Sequence, residues 1–300
     1  MNLHLRTRML FAALCVVALA SLGLAGSASA KLTGEFVKFQ NCPWTNEAVK
    51  KCLWANTEGG SVKLGSKTVP IVNDVLLQGG LSAVNTETKF AKFFAPTEGK
   101  PVLAPVAQPV PGGLAGLVNC KEISNFILKA ACEWTFENGV TGLNSTLELA
   151  GTAADVEISE SKVARKEGTG LKLPVKIHLE NPFLGSSCYV ASNSSPIIWN
   201  LTSGKTTPPA GFESIEGSAG KAEAKEEGRI LQLNGNKLVE NNWSSPGASG
   251  CGGLFSFILD PIVNAAAGLP AGAGTNVAIL ENTVDTATST AVKNNDLANP

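Results

Sequence analysis

The cysteines are the residues of this chain with the clearest chemical potential. After the first thirty residues there are six of them, and these are Cys42, Cys52, Cys120, Cys132, Cys188 and Cys251. The C-x-x-C pairs that mark zinc sites are absent, so we expect disulfides rather than a metal site. Short sequence separations favour the pairs Cys42–Cys52 and Cys120–Cys132. The remaining pair is then Cys188–Cys251.

A local repeat supports pairing between neighbouring cysteines. Asn41-Cys42 leads to Cys52-Leu53-Trp54, and Asn119-Cys120 leads to Cys132-Glu133-Trp134. The repeat indicates an internal duplication, a recurring packing device or a chance similarity. If both tails are extended, residues two apart share a face, and each tryptophan packs beside its disulfide.

Histidine chemistry has only one candidate after the first thirty residues, which is His178. A Ser-His-Asp or Cys-His site would have to use it. It falls between Ile177 and Leu179 in an alternating strand pattern, so we expect it on the solvent-exposed face without a catalytic role. The G-x-S-x-G, H-E-x-x-H, P-loop and dinucleotide-binding motifs are absent. The sequence therefore predicts no catalytic residue, no cofactor and no metal.

Carboxylates could still hydrolyse a polysaccharide without histidine. The glutamates, however, occur mostly in lysine-rich, hydrophilic surroundings, and the five tryptophans and one tyrosine are widely spaced. The preferred function is therefore a non-catalytic binding or structural one. The alternative is a secreted hydrolase that uses acidic residues on a cell-wall or extracellular polysaccharide, and a subunit of a surface assembly is a third possibility.

The first thirty residues have the pattern of a signal peptide. Arg6 and Arg8 precede an apolar run, and Ala28-Ser29-Ala30 provides a cleavage site before Lys31. Cys15 lies inside the apolar run, which argues against a lipoprotein. We expect a secreted, extracellular or cell-surface protein, where disulfides persist. No second apolar stretch is long enough to span a membrane, so no transmembrane span is expected after cleavage.

Charge excludes nucleic acid as an expected partner. The chain has 24 basic and 25 acidic residues, and after the signal peptide its arginines are Arg165 and Arg229 alone. A concentrated basic face with arginine forks is missing. The expected partner is an extracellular ligand or surface component that the sequence does not identify.

Short apolar runs between turn residues predict a mainly β fold with antiparallel, sandwich-like sheets and one or two short helices. The clearest strand is Leu171–Glu180, where Pro174 favours an edge position or a bulge. In the segment 229–239, Asn234-Gly235 predicts a tight hairpin turn. The other predicted strands are 35–40, 61–64, 68–71, 75–78, 146–150, 155–159, 196–202 and 276–287.

Two segments have the apolar spacing of helices, near 121–132 and near 254–267. The first has an apolar stripe that includes Ile123, Phe126 and Ile127. In the second, Asp260-Pro261 is expected to break and restart the helix, and Gly268 to end it.

The chain divides into an N-terminal β portion over 31–94, a proline- and glycine-rich connector over 95–116, and a main portion over 117–300. The N-terminal portion is either a separate domain or part of the main one.

Two sets of segments are similar to those of a known group of proteins. The first set is Phe39 with Cys42-Pro43, then Val69-Pro70-Ile71 and Leu77-Gln78-Gly79-Gly80, and the second is 174–182 followed by 185–189. Together they resemble uncharacterised exported proteins from actinobacteria over most of the chain after the signal peptide. The resemblance implies a bacterial, exported protein and implies nothing about mechanism.

Overall fold

The computed structural model describes residues 31–114, 120–137 and 142–299. The predicted signal peptide over 1–30, with Cys15, lies outside these residues, as do positions 115 and 116 of the predicted connector. Within the described residues the three disulfides join Cys42 to Cys52, Cys120 to Cys132 and Cys188 to Cys251, the same pairs that the sequence predicts.

Fourteen strands in the described part of the chain form one antiparallel sheet. They are β1 (Lys51–Leu64), β2 (Lys67–Pro70), β3 (Val75–Leu81), β4 (Ala91–Phe94), β5 (Ala107–Pro109), β6 (Asn144–Leu149), β7 (Glu157–Ile158), β8 (Leu171–Glu180), β9 (Tyr189–Val190), β10 (Ile197–Leu201), β11 (Lys221–Lys225), β12 (Ile230–Glu240), β13 (Ala248–Ser249) and β14 (Val277–Thr288). The helices are α1 (Phe126–Glu137), α2 (Glu160–Arg165), α3 (Ser256–Ala267) and α4 (Ser289–Ala298). The predicted fold class, mainly β and antiparallel with short helices and three disulfides, is confirmed.

The sheet closes on itself. Its strands follow the order β11-β12-β14-β1-β3-β4-β7-β8, and β10 pairs with the other edge of β8. Thr202 directly follows β10 and exchanges two backbone hydrogen bonds with Val239 of β12, at 3.0 and 2.8 Å. The two ends of the path therefore meet, and opposite walls face each other across a common interior, as in a sandwich. Residues 31–94 supply β1 to β4 to this sheet.

Two β-bulges lie next to each other in the sheet, on the two strands that flank β14. β1 shifts register between Thr57 and Gly59, and β12 shifts between Leu233 and Asn236, on either side of Asn282 in β14. An extra residue on one strand bends it and increases its twist. The predicted hairpin at Asn234-Gly235 is wrong, because Gly235, with a φ of +66°, forms the bulge inside one continuous strand.

The best-predicted strand has the predicted bounds but not the predicted position. β8 is a central strand, with Pro174 opposite Ile198 of β10 on one side and accepting a hydrogen bond from the backbone N–H of Ala150 on the other. The prediction of an edge position is therefore wrong. Pro174 has no backbone N–H to donate. On the side of β8 where β6 and β7 lie, Pro174 is at the point where the neighbouring strand changes from β7 to β6, so the lack of a donor interrupts the pairing with neither strand.

The first predicted helix begins later than expected. Asn125 caps α1, because its side-chain oxygen accepts a hydrogen bond from the backbone N–H of Ile127 at 3.1 Å. Phe126 and Ile127 are 78% and 59% exposed, so these two residues of the predicted apolar stripe do not face the core, whereas Ile123, which precedes the helix, is buried. Trp134 lies in this helix, whereas Trp54 lies in a strand. The two Cys-x-Trp tails therefore differ in structure, and the repeat is not a recurring packing device.

The second predicted helix is continuous through Pro261 and ends at Gly268, whose φ is +67°. The predicted break at Asp260-Pro261 is wrong. The Asp260 carboxylate instead accepts hydrogen bonds from the backbone N–H groups of Gly250 and Cys251, at 3.1 and 2.8 Å. These bonds hold the segment that carries the Cys188–Cys251 disulfide against the helix.

A second cluster of buried residues, the outer core, covers the outside of β1, β12 and β14. Residues 35–40 were predicted as a strand, but Gly34–Phe39 is a 3₁₀ helix, and its three-residue period places Phe36 and Phe39 on one face. The outer core consists of Leu32, Phe36, Phe39, Cys42, Val49, Cys52, Ile230, Ala287 and Val292.

Candidate functional site: an apolar cavity inside the closed sheet

The closed sheet encloses a cavity of about 500 Å³. This volume is within the range of about 300–1,000 Å³ typical of small-molecule sites. Most of the residues that line it are leucine, valine, isoleucine or alanine, and none of the described lining residues is aromatic. The cavity is therefore an aliphatic one.

Strand register explains one wall of the cavity. Leu233, Val284, Ala55 and Leu77 lie opposite one another on four adjacent strands, and all four line the cavity. Because side chains alternate along a strand, the residues between them face the outer core or solvent. The neighbouring row on the same face is Leu231, Thr286 and Leu53.

The opposite wall comes from the strand that the sequence predicted best. Leu171, Leu173, Ile177 and Leu179 of β8 line the cavity, together with Leu147 of β6, which pairs with Ile177. The alternation that indicated one buried face is therefore correct, and that face borders the cavity.

The mouth of the cavity lies between α2 and the edge of the sheet. Leu231 is 47% exposed, and the lining residues Ser161, Ala164 and Ala222 are also exposed. An ion pair between Lys51 and Glu160 holds the start of α2 beside the start of β1, the end of the strand at which Leu53 lies. We call Ser161, Ala164, Ala222 and Leu231 the mouth.

The buried polar residues on the inner wall satisfy one another. The Thr57 hydroxyl donates to Asn282 Oδ1 at 2.7 Å, and Asn282 Nδ2 donates to Asn236 Oδ1 at 3.4 Å and to the Leu280 carbonyl at 3.1 Å. Buried polar groups with such partners cost little free energy. These three residues stabilise the bulged strands and do not require a polar ligand.

The predicted position of His178 on the face away from the buried side is correct, but the predicted exposure is wrong. Its side chain is 16% exposed because Tyr189 stacks on it, with ring centroids 4.3 Å apart. His178 Nδ1 lies 3.2 Å from Glu180 and 3.6 Å from Glu148. Lys176 lies 3.2 Å from Glu148. The cluster lies on the outside of the wall, where Lys176 forms an ion pair with Glu148.

Tyr189 completes this outer cluster. Burial raises the pKa of its hydroxyl, and the negative charge of Glu148 raises it further. The tyrosine is therefore held in its neutral form and serves as a hydrogen-bond donor to Glu148, at 3.4 Å. Thr146 pairs with His178 on the neighbouring strand, and its hydroxyl donates a hydrogen bond to Glu180 at 2.9 Å.

Buried carboxylates do not meet in the cavity. Glu160 is the only carboxylate among the described lining residues. Burial raises the pKa of Glu240, although backbone N–H groups of Asn242 and Asn200 oppose the effect. Asp285 accepts hydrogen bonds from Lys38 and Gln232 on the outer side of the sheet, at 2.8 and 2.9 Å. The three groups lie at separate places in the fold.

The six predicted cysteines are all in disulfides, which is consistent with an extracellular protein. In residues 31–114, 120–137 and 142–299, no group of three or more histidine, cysteine, aspartate or glutamate side chains could hold a metal ion. No helix in the same part of the chain is long and apolar enough to cross a membrane.

Sequence reasoning found the alternating strands but missed the cavity between them. The inward positions that line the cavity are aliphatic, whereas Trp199 and Trp243 pack against each other in another part of the same core. No local pattern in the sequence separates these two sets of inward residues. Comparison with protein-family models, with curated proteins and with solved structures finds no match to this chain.

Proposed function

We propose that this is an exported, non-catalytic binding protein that holds the hydrocarbon chain of an amphiphilic molecule inside its closed sheet. The observation that carries the proposal is the aliphatic cavity of about 500 Å³. Transfer of a hydrocarbon chain from water into such a cavity is favourable by about 25 cal/mol for each Å² buried.

The composition of the wall supports a flexible aliphatic ligand rather than a sugar or a planar ring. Sugars and aromatic ligands are usually held by stacking on aromatic side chains, and the described lining residues have none. Leucine, isoleucine and valine contact a methylene chain equally well along its length. The wall therefore favours a ligand with a long hydrocarbon chain over a ligand with a particular ring.

The mouth supports reversible binding of such a ligand. Leu231 is 47% exposed although it continues the apolar wall, so the lining reaches solvent at this end. A hydrocarbon chain could enter there without any strand separating.

The alternative function, hydrolysis of a polysaccharide, lacks comparable support. The usual mechanism needs two carboxylates about 5–10 Å apart, and Glu160 is the single carboxylate among the described lining residues. Its partner is Lys51. A binding role requires no such pair.

The experiment is a fluorescence titration of the oxidised, exported protein with a polarity-sensitive naphthylamine probe, followed by displacement with hexadecanol. We expect saturable binding and displacement. The variant Val284→Trp places a large side chain in the middle of the inner wall, and it should lose most of the binding while it remains folded.

The matched control is Thr283→Trp, because the adjacent residue on β14 points to the opposite face. This variant should bind the probe as the wild type does. The proposal is wrong if the folded wild type shows no saturable binding, or if the two tryptophan variants behave alike.

A further inference from the structure

We infer that one end of this protein docks on the surface of a lipid bilayer through three exposed apolar side chains. They are Leu254, Phe255 and Phe257, which lie at the start of α3, and we call them the apolar tip. The inference does not depend on the proposed function, because the apolar tip is separate from the described residues that line the cavity.

The apolar tip is unusually exposed for large hydrophobic side chains. Leu254 is 92% exposed, Phe257 is 73% exposed and Phe255 is 52% exposed. Isolated apolar side chains are common on protein surfaces, but these three fall within four consecutive positions. A continuous apolar patch of this kind is typical of an interaction site.

The fold holds the turn that presents the apolar tip. Gly252 and Gly253 have φ values of +78° and +59°, a region that favours glycine. The Cys188–Cys251 disulfide ties the turn to the sheet, and the Gly252 N–H donates to the Leu184 carbonyl at 2.6 Å. Because these bonds fix the base of the turn, the apolar tip projects from an anchored part of the structure.

A second pair of exposed apolar side chains belongs to a segment at the same end of the sheet. Phe126 and Ile127 of α1 are 78% and 59% exposed. The segment that contains α1 leaves the sheet at the end of β5 and returns at the start of β6, opposite Glu180. The Leu179 N–H donates to the carbonyl of Cys188, the residue that anchors the apolar tip, at 2.9 Å. Both segments therefore join the sheet where β8 ends.

The size of the apolar tip favours a bilayer over a protein partner. A large aromatic side chain buries roughly 150–250 Å², so the exposed part of the apolar tip amounts to about 400 Å². Each partner in a stable protein complex buries about 800 Å². A bilayer has no such requirement, because apolar side chains can enter the boundary between its head groups and acyl chains one by one.

The absence of charge around the apolar tip also suits a bilayer. The sequence has no charged residue in 241–259, nor in 181–188, the segment to which the turn is bonded. A charge carried into the boundary of the hydrocarbon would have to lose water at a high cost in free energy. The surroundings of the apolar tip impose no such cost, and they also give it no electrostatic preference for an anionic lipid.

Docking through the apolar tip leaves the mouth of the cavity away from the bilayer. β8 begins at Leu171, which pairs with Ile158 shortly before α2, and it ends at Glu180 on the side of the apolar tip. A strand of ten residues spans about 33 Å. The mouth therefore lies at the other end of the closed sheet and stays in contact with the surrounding solution.

The test is co-sedimentation of the oxidised, exported protein with sucrose-loaded vesicles of palmitoyloleoyl phosphatidylcholine. We expect saturable binding, and similar binding when half of the lipid is phosphatidylglycerol. Because the apolar tip is uncharged, the partition coefficient should change by less than about twofold between low and high salt. Adsorption through surface lysines would instead require the anionic lipid and would weaken as salt increases.

Two double variants assign the binding to the apolar tip. Leu254→Ser combined with Phe257→Ser should reduce the partition coefficient by at least about tenfold, because two inserted apolar side chains are lost. The matched control is Val37→Ser combined with Leu297→Ser, at residues 43% and 64% exposed on the outside of the sheet. It should bind vesicles as the wild type does. All four positions are exposed, so the unfolding midpoints of both variants should stay close to that of the wild type.

Sedimentation without lipid separates a bilayer from a second copy of the chain. A wild type that is monomeric in solution and binds phosphatidylcholine vesicles through Leu254 and Phe257 supports the inference. The inference is wrong if the wild type binds only anionic vesicles or none, or if the two double variants bind alike. It is also wrong if the wild type forms a dimer that the Leu254 and Phe257 variant does not form. The hexadecanol titration measures the cavity, so its result is independent of these outcomes.

Discussion

The two faces of β14 differ in how their side chains are covered. On the outer face, Ala287 packs with Phe36 in the outer core, and Asp285 is 1% exposed beneath Lys38. On the inner face, Val284 and Thr286 border the cavity and remain partly exposed. The same strand therefore supports a tightly packed layer on one side and the wall of the cavity on the other.

Because the two faces differ in this way, we expect substitutions that change stability and substitutions that change ligand affinity to lie on different faces of the strand. The outer face is covered by residues from both ends of the described chain, the 3₁₀ helix Gly34–Phe39 and α4, and the Cys42–Cys52 disulfide ties that cover to β1. In the described part of the chain, the central rows of the inner face border the cavity. Substitutions on the outer face should change the free energy of unfolding, and substitutions on the inner face should change affinity.

The largest effect is expected from Phe36→Ala. Phe36 is fully buried in the outer core, and its truncation leaves a cavity that should lower the free energy of unfolding by about 3–5 kcal/mol. Denaturant titration of the oxidised protein measures the change. Val37→Ala, at a residue 43% exposed in the same 3₁₀ helix, is the control and should cost below about 0.5 kcal/mol. Unchanged stability of Phe36→Ala would show that the outer core does not stabilise the fold.

The disulfides should rank by the length of the loop that each closes. Cys188–Cys251 spans 63 residues and Cys42–Cys52 spans 10. On the chain-entropy model, replacing the long pair with serines should cost about 4 kcal/mol, and the short pair about 3 kcal/mol. Denaturant titrations of the two double variants measure the order. A larger loss from the short pair would mean that its attachment of the outer cover to β1 outweighs the entropy of its loop.

A smaller effect is expected from Asp285→Asn. The carboxylate accepts hydrogen bonds from Lys38 and Gln232, so the substitution should lower the free energy of unfolding by about 2 kcal/mol. Glu281→Gln, an exposed position on the same strand, serves as the control and should change it by below about 0.5 kcal/mol. Thermal unfolding at neutral pH provides the measurement.

The contribution of Lys38 should also depend on pH. Burial lowers the pKa of the Lys38 ammonium, but hydrogen bonds to Asp285 and Glu35 outweigh burial and raise it above the ordinary value of 10.5. A raised lysine pKa stabilises the fold fully below 10.5, and this stabilisation is lost as the pH rises through the folded pKa. The stability difference between wild type and Asp285→Asn should therefore shrink in alkaline solution. A difference that grows there would contradict this ion pair.

The smallest change in stability is expected at the mouth. Leu231→Ala removes a side chain that is 47% exposed, so the free energy of unfolding should fall by less than about 1 kcal/mol. The affinity for hexadecanol should fall by about threefold to tenfold, because the ligand loses apolar contact area. Leu297→Ala, 64% exposed on α4, should change neither quantity. Equal effects of the two variants on affinity would show that Leu231 does not contact the ligand at the mouth.

Local sequence features were sufficient to predict several parts of the fold. The alternation over Leu171–Glu180 specified β8 and its buried face, because a period of two residues is intrinsic to a strand. Gly268 ended α3 as predicted, since its positive φ suits glycine. The short separations of two cysteine pairs indicated the disulfides. These features depend on neighbours in sequence.

The tertiary structure alone decided the position of β8, the role of Gly235 and the existence of the cavity. Pro174 indicated an edge strand, but its missing donor falls at a change of neighbouring strand that no local pattern records. Asn234-Gly235 suits a hairpin and a bulge equally well, and the register with β14 selects the bulge. The cavity requires Thr202 and Val239 to meet. An alternating strand specifies which side chains face inward, but only the closure of the sheet determines whether they pack against each other or surround a space.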